Sequence, residues 1–309
     1  MRDQNDGLDR LAGAAETFIK QERWSRRWSN LLKLAVIVYI VGSIAILSGQ
    51  FMSDEPTSTN THVAIVKLQG AIMPGSPTSA DTLNPLLAKA FKNPNSEAVI
   101  INANSPGGSP VQSALINDEI TRLKTLYKKP VYVVVQDLCA SGCYYIAVAA
   151  DQIYANKGSI IGSIGVRMDA LGFTGLMEKL GIENRSMHAG DHKTFINPIG
   201  PKDAAGRKFF QERVLERTHQ QFIETVRQGR GDRLKETKET YTGLVWLGDE
   251  AVELGLIDGL GDTGFVQREL LEQTNSRHYE ADKSLLEQLM GDFATQTASQ
   301  LSLYLSGLN

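Results

Sequence analysis

At 309 residues, with 42% hydrophobic and 22% charged residues and a formal net charge of -3, the chain has room for one large domain or two modest ones, and no bulk charge to draw it to nucleic acid. Its 28 glycines fit the many tight turns of an α/β protein. Two cysteines exclude a disulfide framework, and five histidines (His62, His188, His192, His219 and His278) form no HExxH-type pattern, so no metal and no other cofactor is expected.

In chain order, residues 1–30 form a polar segment, expected to be cytoplasmic, that ends in Lys20, Arg23, Arg26 and Arg27 interleaved with Trp24 and Trp28. From Leu31 to Met52 nearly every residue is apolar or small, and Lys33 is the only charge. At 1.5 Å per residue such a run can cross a hydrocarbon layer of about 30 Å, so 31–52 is predicted to be a transmembrane anchor. The basic cluster lies before it and Asp54 and Glu55 after it, which predicts a cytoplasmic N-terminus and an outward-facing remainder. A cleaved signal peptide is the competing reading, but no A-x-A site closes the run. Residues 53–61, rich in Ser, Thr, Asn, Asp and Pro, read as a linker.

A domain over 62–275 follows. Val63–Leu68, Ala98–Ile101, Val131–Val135 and Ile153–Ala155 are apolar strand candidates. Between them, Leu83–Phe91, Val111–Tyr127 and the run from Ser141 to Ala150 have helical character. This alternation predicts βαβ crossovers and a buried, largely parallel sheet with flanking helices. Further on, Phe173–Leu180 reads as helical and Ile182–His188 as extended. Asp203–Gln228 reads as a long amphipathic helix with Phe209, Val214, Leu215, Phe222 and Val226 on its apolar face. The glycine-rich stretch Gly158–Val166 has neither G-x-G-x-x-G nor Walker spacing, so it is not read as a nucleotide loop. The tail, 276–309, is expected to be helical.

Two loops fall at the ends of strand candidates, where parallel sheets place their sites: Ser105-Pro106-Gly107-Gly108 and Ala140-Ser141-Gly142. A serine at the start of a helix has free N–H groups and the helix dipole beside it, which favour an attacking oxygen. It can equally be a plain N-cap. Adjacent glycines let N–H groups approach a ligand, so the Gly108 and Gly142 amides are candidates for an oxyanion hole; a plain turn is the alternative. For a base, His188 or His192 would complete a conventional triad, and Lys193 is the other candidate. A lysine acts as a base only when neutral, which requires desolvation or a nearby positive charge. Cys139 and Cys143 flank the serine, four residues apart. If that run is helical they share a face, and a strain-free disulfide within one helical turn is unusual, so they are read as two small buried residues, with their redox state left open.

The ordered loops Asn104-Ser105-Pro106-Gly107-Gly108, Ala140-Ser141-Gly142-Cys143-Tyr144-Tyr145, Gly162-Ser163-Ile164-Gly165-Val166 and Ala189-Gly190-Asp191-His192-Lys193 resemble the short form of bacterial signal peptide peptidase A, from about Val63 to Phe265. The resemblance implies a fold of the ClpP and crotonase superfamily and a serine endopeptidase with a Ser-Lys dyad. Ser141 would be nucleophile and Lys193 general base, Gly108 and Gly142 the oxyanion donors, and Ser163 the residue that orients the lysine. It further implies remnant signal peptides and other peptides as substrates, a bacterial inner-membrane location with the catalytic domain outside the cytoplasm, and a ring-like homo-oligomer in which adjacent protomers share the dyad. Cys143 departs from the pattern, since many relatives carry glycine or alanine there. Two other classes stay open: a crotonase-like enzyme acting on thioesters, which would not need Lys193, and a catalytically silent membrane scaffold.

Overall fold

The computed structural model of the protein describes residues 33–38 and 60–280. The chain divides between Thr59 and Asn60 into two units. In the first, residues 33–38 are helical; the rest of the predicted span 31–52, and all of segment 1–30, lie outside the described residues. Among the described residues no helix is long and apolar enough to cross a membrane.

The second unit is built on an eight-stranded sheet. Its strands are β1 (His62–Gln69), β2 (Ser96–Ser105), β3 (Val131–Ala140), β4 (Gln152–Ala155), β5 (Ile160–Gly162), β6 (Val245–Leu247), β7 (Gly259–Leu260) and β8 (Ser276–Tyr279). The order is β6-β5-β3-β2-β1-β8, with β4 pairing β3 and carrying β7 beyond it. Every pairing is parallel except that of β5 with β6. The parallel α/β sheet expected from the alternation of apolar runs and helices is therefore present, and its strands are apolar on both faces because both are covered. On β1, Ala64, Val66 and Leu68 join one core cluster, while Val63 and Ile65 join a second that includes Val134, Tyr154 and Val266. The larger cluster is covered by helices α1 (Ala80–Lys92) and α2 (Pro110–Tyr127), which bury Leu83, Leu87 and Phe91, and Ile116, Ile120 and Leu123.

Strand β3 is longer than the apolar run Val131–Val135 predicted. It changes neighbours along its length: residues 132–135 pair with β4 and residues 138–140 with β5. Opposite β2 it is irregular, since Ala103 faces Val135 but Ser105 faces Cys139. Two steps on β2 thus match four on β3, and the polar pair Gln136-Asp137 sits in the irregularity.

The segment expected to be extended over 182–188 joins no strand. It belongs to a mostly irregular excursion between β5 and the long helix, held by bonds within itself such as Phe173 N–H to the Pro198 carbonyl (2.7 Å) and Asn184 Nδ2 to the Ile199 carbonyl (3.0 Å). The long helix is present, as Ala204–Phe210, a π-helical turn over Gln211–Leu215, and Glu216–Arg230. Only part of its predicted apolar face is covered: Phe222 and Val226 are buried, whereas Phe209 and Val214 are exposed. At the other end of the chain, β8 pairs with β1 and so carries the sheet four residues beyond the predicted boundary at 275; residues 281–309 lie outside the described ones.

Candidate active site

The parallel strands β2, β3 and β5 bring their C-terminal ends to one edge, with Ser105, Cys139 and Ile161 side by side. This is the edge at which parallel sheets place ligands. The loop after β2 contains Gly107 at φ 89° and Gly108 at φ 156°. An extended residue beyond β1 fixes it: Ile72 N–H donates to the Gly107 carbonyl (2.9 Å) and Ser109 N–H to the Ile72 carbonyl (2.7 Å). A Cβ on Gly108 would overlap the Ile72 carbonyl oxygen, so the position requires glycine. Ser105, fully buried, accepts from Gly107 N–H at 3.1 Å. Gly108 itself is exposed, and its N–H meets no acceptor among the described residues.

Ser141 follows β3 and caps the short helix α3 (Gly142–Ala147), with φ 55° and ψ -123°. A non-glycine residue in such a sparsely populated region costs on the order of 1–3 kcal/mol, so its surroundings must hold it there. Ser141 N–H donates to the Gly162 carbonyl at the end of β5 (2.8 Å), and the Ser141 carbonyl accepts from Tyr145 N–H (3.0 Å). Beyond the turn, Tyr144 donates its buried hydroxyl to the Leu256 carbonyl (2.7 Å), burial pushing its phenol pKa up, and Asn117 donates to the Tyr145 carbonyl (2.7 Å).

The two glycine loops meet. A Cβ placed on Gly107 would lie 2.5 Å from the Gly142 nitrogen and 2.9 Å from Ser141 Cβ, and one placed on Gly142 would lie 3.2 Å from the Gly108 nitrogen. As the first residue of α3, Gly142 has an N–H with no partner inside the helix. Two backbone nitrogens thus lie close together beside the half-buried Ser141, an arrangement able to stabilise an oxyanion formed by attack from that serine.

Ser163 stands one residue past the Gly162 carbonyl that holds Ser141. It too has positive φ, 53°, and its N–H donates to the Leu244 carbonyl (2.8 Å). Lys193 lies in the excursion, exposed, and forms no hydrogen bond with Ser141 within the chain. Its neighbours anchor that loop: His192 Nδ1 is 3.0 Å from Asp203 Oδ2, and the Phe195 ring packs on Phe210 with centroids 5.5 Å apart. Neither His188 nor His192 is hydrogen-bonded to Ser141.

Residues 124–277 match the model of peptidase family S49. A putative protease of Synechocystis sp. is 32% identical over 209 residues, covering 66% of this chain and 72% of the relative. The chain belongs to peptidase family S49. A putative signal peptide peptidase SppA of Enterococcus faecium is 34% identical over 165 residues, 53% of this chain and 47% of its own. A Brucella abortus protein named as a Na(+)/H(+) antiporter NhaA is 41% identical over 210 residues, 66% of this chain but only 28% of the relative. The chain therefore spans well under a third of that relative, whose name describes the longer protein.

Within the S49 chain, Ser141, Gly142 and Gly108 come together and Ser163 lies next to the same turn; Lys193 is not joined to them. Two features were not expected. One is Asp203, which both caps the helix at Gly206 N–H (2.8 Å) and holds His192. The Gly206 amide first, and His192 second, keep its carboxyl below the usual carboxylate range. Its signal in the sequence was its place just before the helix, a common N-cap position. The other is that Cys139 and Cys143 form a disulfide, with Cα atoms 5.1 Å apart. The reading of two small buried residues assumed one helical turn. In fact Cys139 lies near the end of a strand and Cys143 in a helix, and the sharp turn at Ser141 folds them together.

Proposed function

We propose that this S49 protein is a membrane-anchored serine endopeptidase using a Ser141-Lys193 dyad. The observation that carries the reading is the close approach of the Gly108 and Gly142 backbone nitrogens beside Ser141, a serine held at positive φ at the C-terminal edge of the sheet. Ser141 Oγ attacks the scissile carbonyl as neutral Lys193 takes its proton. The two amides stabilise the oxyanion, and collapse expels the amine, which receives the proton from Lys193. Water, deprotonated by the same lysine, then hydrolyses the acyl-enzyme and regenerates the serine. Ser163, beside the nucleophile turn, orients the lysine.

Lys193 reaches Ser141 from an adjacent protomer in this reading. Support comes from its exposure within one chain and from the apolar surface around its loop: Leu171, Leu176, Met187, Ile196 and Phe209 are all about half exposed or more. Contact with a neighbour would cover such surface and strip water from the ammonium, favouring the neutral lysine. The apolar run 31–52 provides the anchor, with the catalytic domain outside the cytoplasm, and the disulfide fits an oxidising compartment. A domain held at the bilayer is suited to apolar peptides such as remnant signal peptides. No observation favours thioester chemistry or a silent scaffold over this reading.

The test is turnover of an apolar peptide by full-length protein carrying Ser141→Ala or Lys193→Ala. Each assembled variant should be at least about 1,000-fold slower, and mixing and reassembling the two should restore activity, because some sites then pair an intact serine with an intact lysine from the next chain. Full turnover by either variant alone would reject the dyad, and variants dead both alone and mixed would reject the shared site.

A further inference from the structure

We infer that the Cys139–Cys143 disulfide is a positioning element of the nucleophile, holding the Ser141 turn in its reactive conformation; this rests on the reading of Ser141 as nucleophile. The bond joins the residues on either side of Ala140-Ser141-Gly142, so it closes a loop with the serine at its centre. Both cysteines are fully buried and belong to different elements. Cys139 lies in the middle of the sheet, paired with Ser105 on one side and Ile161 on the other. Cys143 belongs to α3 and packs in the larger core cluster. The sulfur bridge therefore fastens helix to strand directly behind a serine held at positive φ.

The turn is also braced by hydrogen bonds, from Ser141 N–H to the Gly162 carbonyl and from Tyr145 N–H to the Ser141 carbonyl. Next to the serine stands Gly142, the residue type with the most backbone freedom, whose N–H is one of the two oxyanion donors. Without the covalent closure, φ and ψ at residues 140–142 can relax, and the Oγ and the Gly142 amide shift relative to Gly108. A displacement of about 1 Å at a catalytic group can cost about 100-fold in rate. The bond is poorly placed for a mainly global role, because closing so short a loop restricts the unfolded chain less than closing a long one. Burial also shields it from solvent thiols, as suits a permanent clamp.

The test uses the full-length protein in three forms: oxidised, reduced, and Cys139→Ala/Cys143→Ala. Reduction is by a dithiol, which gives two electrons and two protons to the cystine and itself closes to a disulfide; free thiols are counted by alkylation and mass spectrometry. The expected result is a fall in kcat of tenfold or more in both the double variant and the reduced wild type, with KM within about twofold and only a small change in Tm. Re-oxidation should restore the wild type and leave the variant unchanged. If the buried bond resists the dithiol, the double variant alone decides. Unchanged kcat in the double variant or in fully reduced protein would overturn the inference, as would a loss of kcat matched by a large drop in Tm, which marks a merely structural bond. Ser141→Ala in the oxidised protein separates the two readings: if it stays active, the nucleophile assignment itself fails, whereas an inactive Ser141→Ala beside a fully active double variant removes only the clamp.

Discussion

Ser141 and Gly108 occupy backbone conformations that L side chains rarely adopt, φ 55° and φ 156°, in two loops that meet at the end of the sheet. The serine is held at φ 55° by the Gly162 and Tyr145 hydrogen bonds. The glycine has no Cβ to collide with Ile72, and only so can its amide lie beside that of Gly142. Gly108→Ala should therefore act through geometry alone, because the N–H remains but is pushed away from Ile72. Loss of one oxyanion donor typically costs about 2.7–4 kcal/mol in barrier, so kcat for peptide hydrolysis should fall by about 100-fold or more. Steady-state kinetics on the folded variant would check this, and near-normal kcat would remove Gly108 from the hole.

At the scale of elements, the sequence made legible whatever depended on local pattern. The apolar runs of β1 and β2, the 3.6-residue spacing of α1 and α2, and the Gly107-Gly108 and Ser141 turns stand where pattern put them. The end of β3 was missed because Gln136 and Asp137 break its apolar run where the strand passes from β4 to β5, a change of neighbour that leaves no local signal. The disulfide was missed for the same reason: Cα separation across a turn is a tertiary quantity. Arg230 and Asp258 are a further case, 28 residues apart with nothing in the spacing to pair them. Arg230 ends the long helix with its side chain 1% exposed, yet it bonds Asp258 through both terminal nitrogens (2.8 and 3.1 Å) and the Gly255 carbonyl through Nε (2.9 Å). Asp258 also accepts from Ile153 N–H at the start of β4 (2.7 Å), so one carboxylate ties helix, strand and turn. Burial alone would raise its pKa, but Arg230, the Ile153 amide and Arg233 together outweigh burial and hold it below the usual value. A depressed folded-state pKa means that this contribution is complete above the unfolded value of about 3.9 and is lost as pH falls through the folded one. Asp258→Asn should cost about 3 kcal/mol or more in denaturant unfolding at pH 7, since it leaves the buried Arg230 without its counter-charge. The gap from wild type should narrow on acidification below about pH 4; a gap independent of pH would contradict the assignment.

On the scale of the whole molecule, the proposed function divides the site between the sheet edge that carries Ser141 and the exposed loop that carries Lys193. The amphipathic pattern of the long helix was legible, but not that Phe209 and Val214 would find no full cover among the described residues. Intrachain periodicity specifies an apolar face without specifying whose surface meets it. The same exposed region carries Lys193, and this is why assembly and catalysis are linked in the proposed mechanism. The central claim is that Ser141 is the nucleophile and depends on Lys193. Its most direct test is a fluorophosphonate probe applied to the assembled full-length protein, with the labelled peptide located by mass spectrometry. One adduct on Ser141, formed in step with loss of peptide hydrolysis and at least about 100-fold more slowly in Lys193→Ala, is the predicted result. Complete inactivation with Ser141 unmodified, or equally fast labelling without Lys193, would contradict it.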